Sequence, residues 1–143
     1  MEKREYLDQI KLLKRRISYH KDTLERYNEL ANEVPGPTYG KEVVQGTPSL
    51  KAPFIKYIDK IMEWEKRIAI EETELAVLVA NTEEAISLIE SEQEGAVLRL
   101  RYIFLLNWQD IAKQLHYSLA SIYRYHNDGL EHFQVPQNKD DSK

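Results

Sequence analysis

Two stretches of this chain repeat an apolar residue every three or four positions, and that pattern leaves few folds open. Tyr6, Ile10, Leu13, Ile17, Leu24, Tyr27, Ala31 and Val34 follow one another in alternating steps of four and three, with His20 on the one missing rung. Phe54, Tyr57, Ile61, Trp64, Ile68, Leu75 and Leu78 keep the same rhythm, with Glu71 intruding once. The period is that of an α-helix carrying one apolar stripe, which must be hidden along its length against another helix. Between the stretches lies PGPTYGKEVVQGTPSLKAP, which holds all but one of the five prolines and three of the five glycines. No regular element survives that density of breakers, so residues 35–53 read as a connection, with Val43 and Val44 its candidates for anchoring on a neighbour. Pro53 suits a first helical turn, where its missing N–H costs nothing. Two striped helices and a connection make an antiparallel hairpin, or its equivalent between two chains, the expected solution over residues 1–80.

From residue 81 the pattern changes to short segments, each opened by a residue able to cap a helix. Asn81 or Thr82 opens NTEEAISLIE. Ser91 and Glu94 stand at capping-box spacing before a long apolar run. Asn107 opens NWQDIAKQL and Ser118 opens SLASIYRYHNDGLEHF. The first of the last two helices turns Ile111, Ala112 and Leu115 inward, and the second turns Ile122, Tyr125, Gly129, Leu130 and Phe133 inward. Only a few residues, HYS, join them, which forces a steep crossing. Trp108 belongs under that crossing. The outer face of the last helix carries Ala120, Arg124, Asn127 and Glu131, flanked by Ser121 and Tyr123. Residues 135–143 are polar, contain a proline and read as a tail.

A helix pair of this build can lay the start of its second helix in a DNA major groove. Arg124 has the fork that matches guanine, Asn127 the amide that matches adenine, and Ser121 with the helix-start amides can hold phosphate. Tyr123 is free to meet a sugar or base. Charge restrains the reading. The chain carries a net charge of -4, and between Glu92 and Phe133 there are five acids and four bases. Attraction to nucleic acid is therefore local and salt-sensitive. Lys113 is a candidate phosphate contact. Arg99 and the cluster Lys14 to Arg16 read as solvated surface charges.

The segment VLRLRYIFLLNWQDIAKQLHYSLASIYRYHNDGLEHF resembles region 4 of bacterial sigma factors. The whole layout resembles, more closely, phage late-gene transcription regulators of the RinA and ArpU type. The likeness is carried by Leu98 to Tyr102, Trp108, Ile111, Ala112, Leu115, Tyr117, Ser118, Ser121, Tyr123, Arg124, His126 and Leu130. It is fairly specific over the last third of the chain and looser over the long helices. The resemblance implies an all-α protein, a helical hairpin followed over residues 81–134 by a sigma-region-4-like helix-turn-helix. It implies binding of double-stranded DNA and control of late genes in a phage or prophage, with host RNA polymerase as a possible contact. By family position Ser118, Leu119, Ala120, Ser121, Tyr123, Arg124 and Asn127 would face DNA. Two departures stand out. Leu119 and Ala120 occupy places where such readers usually carry charge. Phe104 and Leu105 stand where relatives tend to have an acidic residue and a glycine, which points to a contact with the hairpin or another subunit.

Other readings stay open: a phage DNA-packaging adaptor of the small-terminase kind, or a helical protein-interaction module that does not bind DNA. The long helices suit a homo-oligomer, a dimer or tetramer, in the regulator reading. Enzymatic function is not expected. There is no phosphate-binding glycine loop, and the carboxylates are assigned to exposed helix faces. His20 reads as a hydrogen-bonded core histidine, and His116, His126 and His132 do not share a face, so neither metal nor cofactor is expected. With no cysteine, a charged N-terminus and no bilayer-length apolar run, the expected place is the bacterial cytoplasm, off the membrane.

Overall fold

A computed structural model describes residues 1–33 and 52–137, and all of the regular structure in them is helical. Helix α1 spans Lys3–Glu33, α2 Ala52–Ser87, α3 Glu92–Leu98, α4 Trp108–Leu115 and α5 Leu119–His132. A π-helical segment, Arg99–Ile103, continues α3. Val34, the connection as far as residue 51 with Val43 and Val44, and the tail beyond residue 137 lie outside the described residues.

The chain divides into two compact units, one of Arg15–Thr73 and one of Met1–Lys14 with everything from Glu74 onward. In the first, the later part of α1 runs antiparallel to the earlier part of α2 within one chain. Tyr27 meets Tyr57 with ring centroids 6.4 Å apart, and His20 meets Trp64 at 4.9 Å. Ile17, Ala31, Ile61 and Ile68 are buried as their spacing requires. Phe54, the first rung expected on α2, is instead exposed.

The two residues that break the stripes complete each other. His20 Nδ1 and Glu71 Oε1 lie 2.6 Å apart, both side chains buried. Each polar head is thus satisfied where a methyl-rich rung would otherwise stand. Glu71→Leu alone strands the imidazole and is expected to cost about 1–3 kcal/mol. Combining it with His20→Leu should recover most of that loss or more, since a buried polar pair replaced by packed apolar groups is commonly neutral or better. Urea unfolding of the two singles and the double checks this. Additive losses would contradict the pairing.

In the second unit the start of α1 and the end of α2 pack with α3, the π segment and α5. Leu7, Ile10, Ile86, Leu98 and Phe133 are all but sealed from solvent. Tyr6 lies beside Phe133, with centroids 6.1 Å apart, and Lys3 Nζ donates to the Glu131 carbonyl at 2.7 Å. A second core, of Val97, Leu100, Ile111 and Ile122, joins α3 and the π segment to α4 and α5.

Four local expectations need correction. No helix starts at Asn81 or Thr82, because α2 runs through both and Thr82 Oγ1 donates back to the Leu78 carbonyl at 2.7 Å. The capping box is half formed: Ser91 Oγ accepts from the Glu94 amide at 3.3 Å, but the Glu94 carboxylate turns to His132 Nδ1 at 2.7 Å. Glu71 and Glu94 are therefore buried, not on exposed faces. Lys14 is not simply solvated, since its Nζ donates to the Ile103 carbonyl at 3.0 Å.

Candidate nucleic-acid interface

Helix α4 begins on Asn107, whose side chain accepts from the Asp110 amide at 2.8 Å. It ends on His116, held at φ 61°, ψ 41° in the left-handed region, where the chain reverses. Tyr117 follows, and Ser118 caps α5 by accepting from the Ser121 amide at 3.2 Å. The caps fix where each helix starts, so the turn needs no glycine, though His116 occupies a conformation that favours one.

The inner side of α5 is held by a chain of rings. Tyr102 Oη and His126 Nε2 share a hydrogen bond of 2.7 Å, both residues buried. Trp108 meets the His126 ring edge-on at 4.7 Å and the Tyr123 ring at 5.3 Å. Arg101 lies over the Trp108 ring at 4.3 Å and its Nη1 donates to the Leu106 carbonyl at 3.1 Å. Burial, and after it the positive charges of Arg4 and Arg101, pull the His126 pKa down from 6.5 to about 4. The imidazole is therefore neutral at physiological pH, which suits its place beside two guanidinium groups. Burial above all raises the Tyr102 pKa, so the phenol keeps its proton. Gly129 brings α5 against α3: a Cβ there would lie 3.2 Å from Leu98 and 3.4 Å from the Glu94 Cβ.

The outer side presents the residues singled out from the sequence. Leu119, Ala120, Tyr123, Arg124 and Asn127 on α5, with Ser118 at its start and Lys113 on α4, are exposed, and Ser121 is half-buried. Ser118 Oγ donates to Ser121 Oγ at 3.1 Å, which leaves the Ser121 hydroxyl proton free to point outward. Arg124 lies along the Tyr125 ring, its Cζ 5.3 Å from the centroid, with its fork uncommitted to any carboxylate among the described residues. Tyr125 is half-buried against Tyr117, at 5.4 Å, while Tyr123 faces out.

Positive charge on this part of the chain is thinner than the sequence count. Arg99 Nε sits 3.6 Å from Glu83 Oε1, and Arg101 is committed to Trp108 and Leu106. Of the four bases between Glu92 and Phe133, only Lys113 and Arg124 remain for a partner. Sequence reasoning missed His126 as the hub of the inner side. A histidine four residues after the inward Ile122 was the available signal. Phe104 is 58% exposed, so among the described residues no contact explains its apolar side chain, and Leu105 sits at φ 59°.

Among the described residues no group of three or more His, Asp or Glu stands together to hold a metal, and no helix is long and apolar enough to cross a membrane. No protein family, curated protein or solved structure matches the chain.

Proposed function

We propose that the chain is a DNA-binding transcription regulator of phage origin, acting on late genes, in which α4 and α5 form a sigma-region-4-like helix-turn-helix. The carrying observation is the exposed outer face of α5. Arg124 and Asn127 are exposed there beside a capped helix start, while every inward residue of the same helix is committed to packing. Leu105 adds support. Its left-handed backbone is the conformation a glycine serves, at the position where the resembled regulators tend to carry one. In this reading Arg124 forks onto guanine, Asn127 onto adenine, and Lys113 and Ser121 hold phosphate. Leu119 and Ala120 meet thymine methyl groups. The long helices set oligomeric state and head spacing, and host RNA polymerase is a further partner. The proposed setting is the bacterial cytoplasm, and the proposed role involves neither catalysis nor a cofactor.

With two free cations per head, the logarithm of affinity should fall against the logarithm of salt with a slope of roughly -2 per head. Fluorescence anisotropy with duplexes from the intergenic regions beside its own gene, at low and moderate salt, is the test. Arg124→Ala is expected to weaken specific binding by about ten- to a hundredfold, with Lys113→Ala weakening all duplexes alike. No preference among duplexes at either salt would refute the proposal.

A second reading has one observation in its favour. Leu119 is 39% exposed and Tyr123 44%, which gives the same face an apolar component suited to a protein partner. An interaction module would leave affinity for its partner intact at high salt, where DNA binding fails.

A further inference from the structure

Helix α2 carries a second stripe, on the side away from the one buried by α1. Ile55, Ile58, Met62 and Ile70 are 54%, 36%, 62% and 52% exposed. Asp59 and Lys66 complete the row Ile55, Asp59, Met62, Lys66, Ile70, in steps of four, three, four and four. The row packed toward α1, Tyr57, Ile61, Trp64, Ile68 and Glu71, buried or half-buried throughout, is offset by two residues at its start and faces the other way. Neither Asp59 nor Lys66 makes a salt bridge among the described residues.

The row is complementary to its own reverse. A two-fold axis between residues 62 and 63 sets Ile55 opposite Ile70 of a second copy and Asp59 opposite Lys66 of that copy, and each match occurs twice. Met62 lies beside the axis, about 1.5 Å along the helix from the Met62 of the second copy, close enough for the two to touch. Parallel pairing in register would instead oppose Asp59 to Asp59 and Lys66 to Lys66. Apolar ends, an apolar centre and opposite charges between them describe an isologous interface. We infer that residues 55–70 of α2 form an antiparallel, two-fold dimer contact with a second copy of this chain. The row is about 22 Å long, four helical turns, which is ample for a helix–helix contact. The inference deepens the proposal that the long helices set the oligomeric state, and it is independent of what α5 binds.

Charge variants of the full-length chain test it by sedimentation equilibrium. Asp59→Lys and Lys66→Asp each place like charges opposite one another twice, and each should weaken dimerisation about tenfold. The double variant restores both pairs and should regain the wild-type constant. Singles that dimerise as tightly as wild type would overturn the register.

Orientation is read by oxidation, because the chain has no cysteine of its own. Met62→Cys should cross-link to its own copy. Ile70→Cys should not, since the two positions would stand about 22 Å apart, far beyond disulfide reach. A mixture of Ile55→Cys and Ile70→Cys chains should cross-link as a mixed dimer. Cross-linking of Ile70→Cys chains alone would overturn the antiparallel arrangement while leaving an oligomer standing. A wild-type monomer at all concentrations would overturn this inference and the oligomer reading together, with DNA binding by α5 tested separately.

Discussion

Lowering the pH from 7 to below 4 is expected to remove on the order of 1–3 kcal/mol of stability through His126 alone. Its native pKa is depressed to about 4 from an ordinary 6.5, chiefly by burial. The unfolded chain therefore takes up this proton at higher pH than the folded one. Above pH 6.5 the imidazole is neutral in both states, and its contribution is whole. Between 6.5 and about 4 only the unfolded state is protonated, so stability falls; below the native pKa both are protonated and the loss is complete. The cause lies on the inner side of α5, where the ring is buried, hydrogen-bonded to the Tyr102 hydroxyl and edge-on to Trp108. A second positive charge there would stand beside Arg101, which is already fixed over Trp108. Carboxylates titrate in part of the same range, so the comparison is between wild type and His126→Gln, which keeps a polar partner for Tyr102 but does not titrate. Urea unfolding from pH 7 to 4 should show the two curves converging as the pH falls. Parallel curves would mean that His126 is protonated as readily in the fold as outside it.

Phe133→Ala is expected to cost about 3–5 kcal/mol. The side chain is fully buried in a cluster with Tyr6, Leu7, Ile10, Leu98 and Tyr102, so its removal leaves a cavity beside α1, α3 and the π segment. Its amide also closes α5 by donating to the Gly129 carbonyl at 2.8 Å. The loss should fall on the attachment of α5 to the start of α1, and hydrogen exchange in α5 should speed up with it. Leu88→Ala, at a residue 77% exposed, is the control and should change stability by less than about 0.5 kcal/mol. Equal effects for the two would contradict the packing described.

These two residues mark what the amino-acid order revealed and what it withheld. Phe133 was legible as an inward residue, because Ile122, Tyr125, Gly129 and Phe133 recur at helical spacing after a capping serine. Its partner Leu7 was not. A two-helix stripe needs Tyr6 and Ile10 only, and Leu7 is buried because further helices stand on that flank. His126 was passed over for a similar reason: Tyr102, its partner, lies 24 residues away in a π-helical segment that no local pattern announces. The breaks at His20 and Glu71 were each visible, but their pairing spans 51 residues, and only the antiparallel register brings them together. The helix start expected at Asn81 failed because a capping residue is a signal only where the chain before it is not already helical. Asn107 and Ser118 follow turns and do cap; Thr82 follows about eight helical turns of α2 and bonds backwards instead. The outer face of α5 was legible through the same periodicity that buried its inner face. The thinness of its charge was not, because the commitment of Arg99 and Arg101 depends on side-chain geometry.

In the proposed function this outer face reads a DNA duplex through Arg124 and Asn127. Selection of binding sites from a pool of randomised duplexes, by wild type and by Arg124→Ala, tests it most directly. Wild type is expected to enrich a recurring sequence containing a guanine, and the variant to lose the preference at that one position while keeping the rest. Enrichment of no sequence by wild type, or of the same sequence with the same preferences by both proteins, would contradict it.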